Sequence, residues 1–144
     1  MIIRLDHVGV VAHAWGEASD VLVERLGFPL ELSRTQMPEG NLYEPQNTRI
    51  YFVKVGLGVT LIEILIPQDT ESGIARYLAK RGPGLHHLGY ACDDVPDETR
   101  RLREQGLDQI AIGSGLSGVF FYPRSTMGIL MELVTDREAT AVAS

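Results

Sequence analysis

Leu5-Asp6-His7-Val8-Gly9-Val10 returns further along the chain as Leu85-His86-His87-Leu88-Gly89-Tyr90, and Val59-Thr60-Leu61-Ile62-Glu63-Ile64-Leu65 returns as Gly128-Ile129-Leu130-Met131-Glu132-Leu133-Val134. Each half therefore opens with a strand carrying a histidine and closes with a strand carrying a glutamate. Two imidazoles and two carboxylates on matching strands of a duplicated unit are the donor set that a divalent metal site in a folded sheet requires.

The segments between these landmarks keep the same order in both halves. Residues 3 to 12 are apolar or small apart from Arg4, Asp6 and His7, and Ile3, Val8, Val10 and Val11 are β-branched, which predicts a strand. Ala14, Ala18, Val21, Leu22 and Leu26 fall at helical spacing, and Gly27 stands where a helix C-cap belongs. Strands are predicted at Leu30 to Arg34, Ile50 to Val55 and Val59 to Ile66, the last closed by Pro67. Thr35 to Arg49, with Pro38, Gly40, Asn41, Pro45 and Asn47, reads as a long irregular loop, and such loops are often functional. Ile74, Tyr77 and Leu78 predict a linking helix over Glu71 to Lys80 that ends at Gly82-Pro83-Gly84. The second half follows with a strand at Leu85 to Cys92 and a helix capped by Asp94 with Pro96 in its first turn. Strands at Asp108 to Ile112, Val119 to Tyr122 and Ile129 to Val134 complete it.

The expected architecture is α+β: two tandem βαβββ modules forming a cupped, mostly antiparallel sheet around a metal site. Module one covers 1–67, a helical linker 68–84 and module two 85–135, within one domain spanning 1–144. The tail from Arg137 to Ser144 has little to bury and is expected to fray. Gly113, Gly115 and Gly118 lack a following helix, so they punctuate turns and do not form a phosphate loop.

With 144 residues the chain is long enough to bury one sizeable core. A formal net charge of -6, without a Lys or Arg run, disfavours nucleic acid as a partner. No apolar run approaches the roughly 20 residues that span a bilayer, and no basic stretch with an apolar signal core opens the chain, which predicts a cytoplasmic protein without membrane contact. Cys92 is the sole cysteine, so the sequence holds no disulfide or multi-thiolate zinc site, and its apolar neighbours predict an inert packed thiol.

Strand alternation puts His7 and Gly9 on one face and Asp6 and Val8 on the other, and the same register pairs His87 with Gly89. His86 then points away, as a structural or hydrogen-bonding residue. Glu63 and Glu132 are each the one charge in an apolar strand. An unpaired carboxylate there would carry several kcal/mol of desolvation cost, about fivefold what an ordinary hydrogen bond returns, so each must be neutralised. One strand histidine or one buried glutamate is explained by a satisfied core contact; four at duplicated positions are better explained by a cation. Imidazole and carboxylate together suit Zn, Ni, Co, Mn or Fe(II), and four ligands leave an octahedral ion two adjacent open positions.

Over nearly its whole length the chain resembles the vicinal oxygen chelate (glyoxalase/bleomycin resistance/dioxygenase) superfamily, and within it the methylmalonyl-CoA epimerases. Two segments carry that likeness: Ser72-Gly73-Ile74-Ala75-Arg76-Tyr77-Leu78-Ala79-Lys80-Arg81-Gly82-Pro83-Gly84-Leu85-His86-His87 and Phe121-Tyr122-Pro123-Arg124-Ser125-Thr126-Met127-Gly128-Ile129-Leu130-Met131-Glu132-Leu133. The resemblance implies metal ligands His7, Glu63, His87 and Glu132, a divalent ion, and a homodimer. The chain departs from the epimerases in having Pro38-Glu39-Gly40 followed by an inserted Asn41 to Asn47, and in having Tyr122 where they often have His.

Such a site suits removal of the α-proton of a carboxylated acyl thioester such as methylmalonyl-CoA and its return to the opposite face, with the enolate charge stabilised by the ion. That requires an acid/base group on each side of the substrate. Glu132 is the candidate for one side. For the other, the segment preceding the first acidic ligand offers Glu44 as a catalytic candidate and Gln46 as a substrate contact. Lys80, Arg81 and Arg124 are candidate contacts for coenzyme A phosphates. Trp15 and Tyr43 could meet an aromatic group, although packing explains both. Two alternatives remain: a glyoxalase I-like lactoylglutathione lyase, and a non-catalytic small-molecule-binding protein of the resistance type. Extradiol dioxygenase chemistry needs only two histidines and one carboxylate, so the fourth ligand argues against it.

Overall fold

The computed structural model describes residues 1–111 and 118–138. Among the described residues seven strands form one mixed sheet with the hydrogen-bonded order β2-β3-β4-β1-β5-β7-β6, accompanied by helices, an α+β fold. The strands are β1 (Ile2–Val11), β2 (Asn41–Tyr43), β3 (Thr48–Lys54), β4 (Leu61–Pro67), β5 (Gly84–Cys92), β6 (Val119–Phe121) and β7 (Met131–Thr135). Two compact units share them: Val8–His86, and Met1–His7 with the chain from His87 onward.

In the unit Val8–His86 the first helix, α1 (Trp15–Ser19), widens into a π-helical turn over Asp20–Arg25 and ends at Gly27, whose φ of 77° takes the left-handed conformation that a side chain disfavours. Its inner side packs on Tyr51, Val53, Ile64 and Ile66 of β3 and β4. Those strands run antiparallel, with Phe52 opposite Glu63. Helix α2 (Gly73–Arg81) starts where the Ser72 hydroxyl accepts from the Ala75 N–H at 3.1 Å, and its last turn carries Lys80 and Arg81 at the negative end of the helix dipole.

The stretch expected as strand at Leu30 to Arg34 forms a single bridge, Leu30 to Val53. Glu31 ends it, because its side chain accepts from Ser33 and its carbonyl from the Arg34 N–H, closing a turn. Conversely, the segment read as irregular contains β2 and a 3₁₀ turn at Glu44–Gln46. The Asn41 side chain bridges the Arg34 carbonyl and the Gln36 N–H, and the Tyr51 hydroxyl donates to the Pro38 carbonyl at 3.1 Å. Tyr51 itself stacks on Trp15 with ring centroids 4.1 Å apart. Local Pro and Gly content hides this ordering because its partners are remote in sequence.

In the other unit, α3 (Val95–Glu104) begins at Asp94, whose carboxylate accepts from the Asp97 N–H, and tolerates Pro96 in its first turn. It covers β7 through Leu102, with Cys92, Phe121, Met131 and Leu133 buried beneath. Strands β5 and β7 are parallel with Gly89 opposite Glu132, and β6 and β7 antiparallel with Phe120 opposite Glu132. The expected strand at Asp108 to Ile112 is reduced to one bridge between Gln109 and Phe121, and Ile112 lies outside the described residues, as do Gly113, Gly115 and the tail beyond Glu138. Cys92 is fully buried, and burial pushes its thiol up to about 11, in keeping with an inert packed residue. No helix among the described residues is long and apolar enough to cross a membrane.

Candidate metal centre

His7 and Gly89 sit in β1 and β5, and what joins them is the absence of a side chain. A Cβ built on Gly89 would lie 2.1 Å from His7 Cε1 and 2.4 Å from Nε2, so the imidazole fills the space that glycine leaves. The parallel register places Glu132 opposite that same glycine. Strand alternation then sets His87, two residues before Gly89, on the Glu132 side of the sheet. Gly118 does for the carboxylate what Gly89 does for the ring: a Cβ there would lie 2.2 Å from Glu132 Oε2.

The outcome is three converging ligand atoms. His7 Nε2 lies 3.0 Å from His87 Nε2 and 2.9 Å from Glu132 Oε1, and His87 Nε2 lies 3.5 Å from that oxygen. All three residues are nearly inaccessible, at 3%, 5% and 9% exposure for His7, His87 and Glu132. Phe120 packs its ring edge-on to His87 with centroids 5.8 Å apart, adding an apolar wall. Burial opposes the charge of Glu132, and hydrogen bonds and charge from His7 and His87 outweigh it, bringing the carboxyl down to about 2. Glu132 is thus held in its ionised form.

Two ring nitrogens and a carboxylate oxygen this close repel unless a proton or a cation lies between them. Ligands bound at about 2.0–2.1 Å to one ion, at angles from square to tetrahedral, stand about 2.9–3.4 Å apart, which matches the observed edges. Glu63 lies on β4, opposite Phe52 of β3, in the unit Val8–His86. The donor set and its spacing fit a divalent cation.

The remaining sequence candidates lie elsewhere on the elements. Glu44 is exposed in the 3₁₀ turn, and Gln46, half-buried, accepts from the Ile74 N–H at 3.3 Å and so fastens the start of α2. Lys80 and Arg81 are exposed in the last turn of α2, with the Arg81 guanidinium 5.0 Å above the Tyr77 ring. Arg124 is engaged by Asp108, its Nε donating at 3.0 Å, and lies 4.2 Å over Tyr122. His86 packs edge-on against Tyr77, in keeping with a structural role. Sequence reasoning misses the space-making part of Gly89 and Gly118 and the facing Phe120, although the repeated His-x-Gly in both halves signals the first of these.

Asp6 corrects the simple alternation argument. Alternation turns its carboxylate away from His7, yet Oδ2 lies 2.8 Å from His7 Nδ1. Nδ1 is the ring nitrogen nearest the backbone, where the short side chain of the adjacent residue meets it, while Nε2 faces His87 and Glu132.

The family model for the Glyoxalase/Bleomycin resistance protein/Dioxygenase superfamily matches residues 6–121. The chain belongs to this superfamily. Among its relatives, an ethylmalonyl-CoA/methylmalonyl-CoA epimerase of Cereibacter sphaeroides is 27% identical over 140 residues, covering 92% of this chain and 98% of that one. An uncharacterized Bacillus subtilis protein, YqjC, is 27% identical over 135 residues, covering 90% of both. Among solved structures, a single-residue variant of the Streptomyces coelicolor methylmalonyl-CoA epimerase in complex with 2-nitronate-propionyl-CoA superposes with a TM-score of 0.80 at 25% identity, covering 95% of this chain and 99% of that one.

Proposed function

We propose that this chain is a metal-dependent epimerase that inverts the α-carbon of a carboxylated acyl thioester such as methylmalonyl-CoA. The observation that carries the reading is the buried convergence of His7, His87 and Glu132, in a chain whose relatives include named methylmalonyl-CoA epimerases. In this reading His7, Glu63, His87 and Glu132 hold the cation. When bound, a divalent ion supplies Lewis acidity to the carboxylate and thioester oxygens of the substrate, which acidifies the α-proton.

Glu132 presents Oε1 to the imidazoles, while Oε2 occupies the space left by the missing side chain of Gly118. That second oxygen is the proton acceptor on one side of the substrate. Glu44 is exposed in its 3₁₀ turn, and serves as acid/base on the other side, protonating the carbon from the face opposite to abstraction. One C–H bond breaks and one forms, with no oxidant or co-reactant. Lys80 and Arg81 offer charge for the coenzyme A phosphates, and Arg124 does so by exchanging Asp108 for a phosphate.

Incubation of the metal-loaded protein with methylmalonyl-CoA in D2O tests the proposal. It expects α-deuteration above that of the metal-free protein and of Glu132→Gln; equal exchange in all three samples removes it.

A further inference from the structure

The carboxylate of Asp6 is buried at 4% exposure and sits between two groups. Its Oδ2 lies 2.8 Å from His7 Nδ1, and its Oδ1 lies 3.3 Å from the Arg4 guanidinium. Arg4 is held in turn by Asp136, just past the end of β7, at 2.9 Å. The chain Asp136–Arg4–Asp6–His7 therefore ends on the ring whose other nitrogen faces His87 and Glu132.

An ionised carboxylate can only accept, so the nitrogen it meets must carry the proton. If Nδ1 were bare, its lone pair would face a carboxylate oxygen at 2.8 Å, a repulsive contact in a buried setting. With the proton on Nδ1, the Nε2 lone pair is left for the cluster. Free histidine side chains favour the opposite form, with the proton on Nε2, which would block ligation. We propose that Asp6, braced by Arg4 and Asp136, is a positioning residue that fixes His7 in the Nδ1–H form and aims Nε2 at the metal centre. The proposal rests on the metal reading above, and it adds a residue that acts through His7 without touching metal or substrate.

Asp6→Asn keeps the volume and can turn a donor toward Nδ1; Asp6→Ala removes the contact. The test has two readouts. In metal-free Glu132→Gln, where no carboxylate competes for a proton on Nε2, and at a pH where imidazole is neutral, the ring 15N shifts of His7 report which nitrogen is protonated. With Asp6 present the Nδ1–H form is expected, and with Asp6→Ala added the ordinary Nε2–H form. In competition with a chromophoric chelator, Co(II) affinity is expected to fall about 10–100-fold in both variants, with unchanged far-UV circular dichroism. His7→Ala serves as the control for loss of a ligand. A His7 in the Nε2–H form in Glu132→Gln with Asp6 present, or Asp6 variants that keep both the parent tautomer and Co(II) affinity, would overturn the proposal. Absence of Co(II) binding by wild type would sink the metal reading instead, and the ring shifts would still decide whether Asp6 sets the tautomer.

Discussion

Replacing Gly89 with alanine adds one carbon and tests whether the His7 ring position matters. The new Cβ would stand 2.1 Å from Cε1, whereas ordinary van der Waals contact begins at 3.4 Å, so the ring must retreat by more than about 1 Å. Metal–ligand bonds tolerate about 0.2 Å, so that retreat takes Nε2 out of bonding range. The expected loss of Co(II) or Zn(II) affinity is at least the ~10–100-fold that removal of an outer-sphere partner causes, or about 1.4–2.7 kcal/mol. Gly89 lies mid-strand in β5 without a left-handed backbone, so alanine strains no backbone dihedral and its cost falls on the buried ring it displaces. The assay is chelator competition beside circular dichroism and a thermal melt. Wild-type affinity in a folded Gly89→Ala protein would refute the claim that this glycine makes room for a ligand.

Gly118→Ala should act on the carboxylate side, since its Cβ would lie 2.2 Å from Glu132 Oε2; the expected result is loss of α-proton exchange exceeding loss of metal affinity, read from D2O incorporation and chelator competition. Metal affinity should fall as pH is lowered, because the imidazoles must be neutral to bind and metal uptake releases protons, measurable as proton release in unbuffered titration. Glu98 is buried and held below the usual carboxylate range, chiefly by the hydrogen bond from Arg101 against the opposing effect of burial. Its folded pKa lies below its unfolded value, so its contribution to stability is full above ~4.5 and disappears as pH falls through the folded value; urea midpoints of Glu98→Gln should be flatter with pH between ~5 and ~2. Cys92, pushed up to about 11 and fully buried, should react with a disulfide reagent at pH 8 only after unfolding, followed by absorbance with and without urea.

The linking helix, the helix of the second half and its opening strand are legible in the sequence because their signals are local. Asp94 and Pro96 mark the start of α3, and Ser72 and Gly82 bound α2. Edge segments mislead for the opposite reason. Leu30 to Arg34 alternates like a strand, yet Glu31 finds Ser33 close by and closes a turn. Asn41 to Tyr43 looks irregular, yet pairs with β3 across an intervening turn.

The amino-acid order by itself determined that the chain is duplicated, that a histidine and a glutamate recur at matching strand positions, and which periodicity each segment carries. Those are properties of neighbours a few residues apart. Tertiary structure alone decided that Gly89 and Gly118 are vacancies shaped to His7 and Glu132, that Phe120 walls His87, and that Asp6 reaches the near ring nitrogen of its neighbour. These depend on strand register and on which atoms approach within a few ångströms, and steric exclusion and hydrogen-bond geometry are set only when remote backbone segments are brought together.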